Sequence, residues 1–92
     1  MEKVAGLVIL TNNREESSIE INRILSKNAK LIMSRMGVNV QKSCTSHCPG
    51  LIMLAVKADN DSINNLYNEL KSLNNLKVEL SSFSEDDFLS LK

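Results

Sequence analysis

Apolar and polar positions alternate along this chain with two different periods, and the changes of period divide it into elements. Val4-Ala-Gly-Leu-Val-Ile-Leu10 is a nearly continuous apolar run, the pattern of a strand covered on both faces, so residues 3–10 read as a first strand. The period then lengthens. Ile21, Ile24 and Leu25, with Ala29 beyond them, fall on one side of a helix at spacings of three and four. Asn13 with Glu16 three positions on forms a variant of the capping box, which predicts a helix from Arg14 to Lys27 with Asn28 as a left-handed exit.

A second strand is predicted over Leu31-Ile-Met-Ser-Arg-Met36, stopped by Gly37, and a polar stretch runs from about Asn39 to Gly50. Leu51-Ile-Met-Leu-Ala-Val56 is six consecutive apolar residues ending at Lys57, the clearest strand of the four. Asp59, Asn60 and Asp61 supply cap candidates for a second helix, along which Ile63, Leu66, Tyr67, Leu70 and Leu73 repeat at helical spacing. Leu76, Val78 and Leu80 alternate with Lys77, Glu79 and Ser81, the pattern of a half-buried strand. Ser84 and Asp87 can cap a short terminal turn bearing Phe88 and Leu91.

The order β-α-β-β-α-β, with two right-handed βαβ units, predicts an α+β, ferredoxin-like arrangement: a four-stranded antiparallel sheet with both helices on one face. Residues 1–92 are expected to form one such domain. Strands 1 and 3 occupy the middle of that sheet, and they are the two that read as continuously apolar. Two helices cover one face only, so aliphatic side chains are left on the other, and a homodimer or homotetramer associating through the sheet is expected to cover them. The competing possibility is that the terminal turn, with Phe83 and Phe88, folds back over that surface.

Composition narrows the function. The 92 residues carry 11 basic and 11 acidic side chains, a formal net charge of zero, which gives no electrostatic footprint for nucleic acid. The first apolar run is followed at once by Asn12, Asn13, Arg14, Glu15 and Glu16, unlike a signal peptide, and no run approaches the roughly 20 residues of a bilayer span. A cytoplasmic location is expected, where thiols are kept reduced, so Cys44 and Cys48 are expected as free thiols or ligands ahead of a structural disulfide. Catalysis is not expected: the lone histidine has no triad order around it, and the chain has no glycine-rich phosphate loop.

The segment Lys42-Ser-Cys-Thr-Ser-His-Cys-Pro-Gly50 gathers both cysteines, the one histidine and the one proline of the chain. Cys44, His47 and Cys48 are three soft or borderline donors that suit a transition metal such as Zn, Ni or Fe, with a fourth position left for water or a second chain. The same pair of cysteines could instead close a small disulfide, with His47 favouring the thiolate. The plain alternative is an exposed loop whose Pro49-Gly50 turns the chain into the third strand. Arg35 is a candidate to bind an anion or to pair with Glu79. Asp59-Asn-Asp61 lacks the glycine and glutamate of a calcium loop and reads as a cap.

Asn22 to Gly37, the Asn13-Arg-Glu-Glu16 helix start, and Lys57-Ala-Asp-Asn-Asp61 before the second helix resemble the ACT-like family of iron-only hydrogenase system regulators. That family is similar in turn to the metal-sensing C-terminal domain of the nickel-responsive repressor. The resemblance covers about residues 3–81 and, beside an expected protein partner, implies a regulatory domain that associates through its sheets and has no catalytic machinery. It implies no direct nucleic-acid binding, because the chain starts at its first strand. By likeness to amino-acid-binding ACT domains, Asn12, Asn13 and Arg35 form an alternative ligand-binding set.

Overall fold

The computed structural model describes residues 2–40, 45 and 48–91, apart from the side chains of residues 85 and 88. The elements are β1 (Glu2–Thr11), α1 (Arg14–Lys27), β2 (Ile32–Asn39), β3 (Gly50–Asp59), α2 (Asn60–Lys71), β4 (Leu76–Phe83) and α3 (Glu85–Ser90), with a 3₁₀ turn at Ala29–Leu31 between α1 and β2. The sheet order is β2-β3-β1-β4, every pair antiparallel. This is the ferredoxin-like α+β fold, with the two apolar strands β1 and β3 at the centre.

Cross-strand register explains why those strands are apolar on both faces. Ala5 lies opposite Val56, Leu7 opposite both Leu54 and Leu80, and Ile9 opposite both Ile52 and Val78. These side chains face the helices and meet Ile21, Ile24 and Leu25 of α1 and Ile63, Leu66 and Leu70 of α2 in one buried cluster. Burying a residue the size of Leu66 contributes about 2 kcal/mol.

The other face carries Val8 opposite Met53, Met53 opposite Met36, Leu10 opposite Leu51, and Leu51 opposite Val38. No layer of described residues covers it. Leu10 is 43% exposed, Met36 51%, Val38 44% and Phe83 50%. Leu89 and Leu91 of the terminal segment are themselves exposed, so the described part of that segment does not shelter the face; the side chain of Phe88 lies outside the described residues.

Both long helices start as their sequences predict. The Asn13 side chain accepts from the Glu16 amide at 3.2 Å and donates back to Glu16 Oε2 at 3.2 Å, and Asp59 accepts from the Ser62 amide at 2.7 Å. At the tail, the Ser84 amide donates to Asp87 Oδ2 at 2.7 Å. Three local expectations are corrected. Gly37 does not stop β2: it pairs with Ile52 inside a strand that continues to Asn39, because antiparallel pairing uses only the backbone. Asn28 leaves α1 at φ −108°, not left-handed, its side chain instead donating to the Ile24 carbonyl at 2.8 Å. The left-handed asparagine is Asn75, φ 63°, in the turn between α2 and β4. Ala29, placed on the core face of α1, is exposed.

Candidate functional site

The end of β1, the start of α1 and the segment leading into β3 converge at one end of the sheet. Thr11 is buried, and its hydroxyl accepts from the Asn13 amide at 3.1 Å and lies 2.7 Å from Ser17 Oγ. This clamps the β1–α1 turn so that Arg14 begins the helix. Its backbone N–H, one of the helix-start donors with no partner inside the helix, donates to the Cys48 carbonyl at 2.8 Å. The Arg14 side chain then passes directly over Gly50, where a Cβ would collide with its Cγ and Cδ, and its guanidinium donates to Asn39 Oδ1 at the end of β2.

Cys48 is therefore not on a free loop. It is 4% exposed and disulfide-bonded, so in this structure it is neither the free thiol nor the metal-ligating thiolate expected first. Cys44 and His47 lie outside the described residues. Among the described residues no group of three His, Cys, Asp or Glu side chains is placed to hold a metal ion. A disulfide sulfur supplies no thiolate, so a metal held by Cys44, His47 and Cys48 would require the reduced chain.

Asn12 is exposed, while Asn13 is engaged in the α1 cap. Arg35 does not meet Glu79. The two stand on β2 and β4, opposite edges of the sheet, and Glu79 has Lys77 4.0 Å away. Arg35 instead points to the helix layer, where its Nη2 donates to Asn22 Oδ1 of α1 at 2.7 Å.

Between α1 and β2 runs a cavity of about 490 Å³. Its floor is Gly37 and Ile52, its inner wall includes Ile21 and Ser18 of α1, and Arg14, Glu15, Arg35 and Asn39 stand around it. Sequence reasoning missed this groove and the part of Arg14 in it. The available signal was Gly37, a glycine inside a strand with no turn to make.

The chain was compared with known proteins. The TM1266-like family model, described as "Iron-only hydrogenase system regulator, putative", matches residues 3–80. The chain belongs to this family. Among solved structures, the TM1266-like chain is similar to the uncharacterized protein TM1266 from Thermotoga maritima, with TM-score 0.79 and 24% identity over 91% of this chain and 100% of that one. It is also similar to the ACT domain from the GTP pyrophosphokinase of Chlorobium tepidum, with TM-score 0.68 and 19% identity over 88% and 100% of the two chains. A third likeness is to CPII, a nitrogen regulatory PII-like protein from Thiomonas intermedia K12 bound to ADP, AMP and bicarbonate, with TM-score 0.56 and 13% identity over 88% and 90%. At these identities the likeness is one of fold. No curated protein sequence matches the chain. No helix among the described residues is long and apolar enough to cross a membrane.

Proposed function

We propose that this TM1266-like chain is a non-enzymatic regulatory module that reports thiol redox state through its Cys44, His47 and Cys48 segment to a protein partner in the cytoplasm. The observation that carries the reading is the placement of Cys48: buried, disulfide-bonded, and hydrogen-bonded through its carbonyl to the first amide of α1. Cys44 is the proposed other half of the bridge. Closing it passes two electrons and two protons from the thiols to a disulfide oxidant, which is reduced to its dithiol by exchange through a mixed disulfide, and exchange with a dithiol donor returns them. His47 beside Cys48 in sequence would favour the attacking thiolate.

The module works as a homodimer or homotetramer joined through the open sheet face. A second copy fits that face because Val8, Leu10, Met36, Val38 and Met53 form an apolar centre with Lys57, Lys77 and Glu79 towards its rim, the arrangement of a self-complementary interface. Direct nucleic-acid binding is not part of the reading, since net charge is zero.

In the reduced chain the same three side chains could bind a transition metal (Zn, Ni or Fe), a second reading favoured by their donor chemistry. One experiment separates the two. Protein purified without oxygen is analysed for metals and titrated for free thiols before and after reduction, beside a Cys44→Ser/Cys48→Ser variant. Redox sensing requires two thiols to appear on reduction, without stoichiometric metal, together with a change in the amide spectrum. Stoichiometric metal lost in the variant transfers the assignment to metal sensing. Neither metal nor a thiol-dependent change sinks both.

A further inference from the structure

The groove between α1 and β2 has a construction that the redox reading does not use. Two guanidiniums cross it in opposite directions: Arg14 reaches from α1 to Asn39 on β2, and Arg35 reaches from β2 to Asn22 on α1. Both acceptors are neutral amides, so neither positive charge is neutralised by its partner, and among the described residues neither arginine forms an ion pair. Each fork spends one N–H on its asparagine and keeps others for a ligand.

The two forks mark opposite ends. Arg14 and Asn22 are eight residues apart on a helix, and Arg35 and Asn39 four apart on a strand; both spans come to about 12 to 13 Å. Between them lies the apolar floor of Gly37 and Ile52. The Gly37 backbone has no positive φ, and a Cβ built there meets nothing closer than the Leu51 carbonyl at 3.9 Å. No backbone constraint therefore calls for glycine, and its effect is to leave the floor open. A volume of about 490 Å³ is in the range of small-molecule sites.

We propose that this groove binds a small organic dicarboxylate, one carboxylate on the Arg14 fork and the other on the Arg35 fork, with a spacer of about two or three methylenes over Gly37 and Ile52. Glu15 is the one acidic side chain on the lining and opposes the dianion at the Arg14 end, so its removal tightens binding. The Arg14 backbone is also the anchor of the Cys48 carbonyl, which places the ligand site and the cysteine segment on the same residue. The binding claim stands whether or not the cysteines respond to redox state.

The test is an amide-resolved titration of the oxidised full chain at low ionic strength with glutarate, butyrate and inorganic phosphate in turn. Glutarate should give saturable shifts at Ser18, Gly37 and Ile52. Arg14→Gln and Arg35→Gln should each weaken it about tenfold or more, the loss of one charge-assisted contact, and Glu15→Gln should strengthen it. Gly37→Val, which fills the floor and leaves the fold intact by its melting temperature, should abolish it. Butyrate or phosphate binding as tightly as glutarate overturns the two-ended assignment. Absence of saturation with glutarate at tens of millimolar, or binding unchanged in both arginine variants, overturns the site.

Discussion

The backbone amide of Arg14 donates to the Cys48 carbonyl across 2.8 Å, joining the first residue of α1 to the segment that enters β3. Because that amide has no acceptor within its own helix, the start of α1 depends on where Cys48 is held. In the proposed redox reading, this contact is what carries a change in the cysteine segment to α1.

Opening the disulfide should lower stability. A bridge between Cys44 and Cys48 closes a very short loop, which in the chain-entropy account contributes about 2 kcal/mol. Thermal melts with and without a dithiol reductant should show the reduced form melting lower by roughly 10 °C for a domain of this size, and Cys48→Ser should melt like the reduced wild type in both conditions. Equal melting temperatures would show that the bridge contributes nothing to the stability of the fold.

Association through the sheet should be cancelled by one charge. Met36 is opposite Met53 on the open face and half exposed, so Met36→Lys costs the single chain little, within about 0.5 kcal/mol, but buries an unpaired charge in a sheet-to-sheet interface. Sedimentation should show dimer or tetramer for wild type and monomer for the variant at the same micromolar concentration. A wild-type monomer contradicts the interface.

Leu66 has no exposed surface and lies where α2 meets the central strands. Leu66→Ala should destabilise by about 3 kcal/mol or more, the range for a buried leucine leaving a cavity. Denaturant unfolding with an unchanged m-value measures it. A loss below about 1 kcal/mol would mean that the helix layer is not packed as described.

Glu69 of α2 receives Lys27 Nζ at 2.8 Å and Asn28 Nδ2 at 3.4 Å from the end of α1. The Lys27 hydrogen bond, ahead of the opposing effect of burial and the smaller help of Asn28, holds the Glu69 carboxyl below its ordinary value of 4.5. A carboxyl lowered in the folded state stabilises fully above its unfolded pKa, and that contribution is lost as pH falls through the folded value. Urea midpoints should therefore decline below about pH 4.5, with a shallower decline in Glu69→Gln. The pair is partly exposed, so the difference should not exceed about 1 kcal/mol. Identical acid limbs would show that the contact contributes nothing.

The elements legible in sequence were those with signals at both ends. α1 runs from Arg14 to Lys27 as its pattern predicts, because Asn13, Glu16 and the apolar triad Ile21, Ile24 and Leu25 all agree. β2 was harder. Gly37 has the look of a stop, but an edge strand can carry a glycine through backbone pairing alone, and the strand runs on to Asn39. The open apolar face was legible because residues 4–10 of β1 and 51–56 of β3 are apolar runs, while the two long helices cover one side of them. Partnerships between distant residues were not. Nothing in the spacing says that Arg35 faces α1 and Asn22 rather than Glu79, since that needs the face of β2 and the sheet order together. The same holds for Arg14 crossing to Asn39, and for the burial of Cys48, whose carbonyl meets the Arg14 amide.

Amide hydrogen exchange at Arg14, compared between the oxidised and the reduced chain, tests the link between cysteine chemistry and the fold most directly. Held against the Cys48 carbonyl in the disulfide form, this amide should exchange slowly. Reduction should speed it by about tenfold or more, the loss of roughly 1.4 kcal/mol of protection, while amides of Leu7 and Leu54 in the sheet stay unchanged. Equal exchange at Arg14 in both forms would contradict the proposal that the cysteine segment signals through the start of α1.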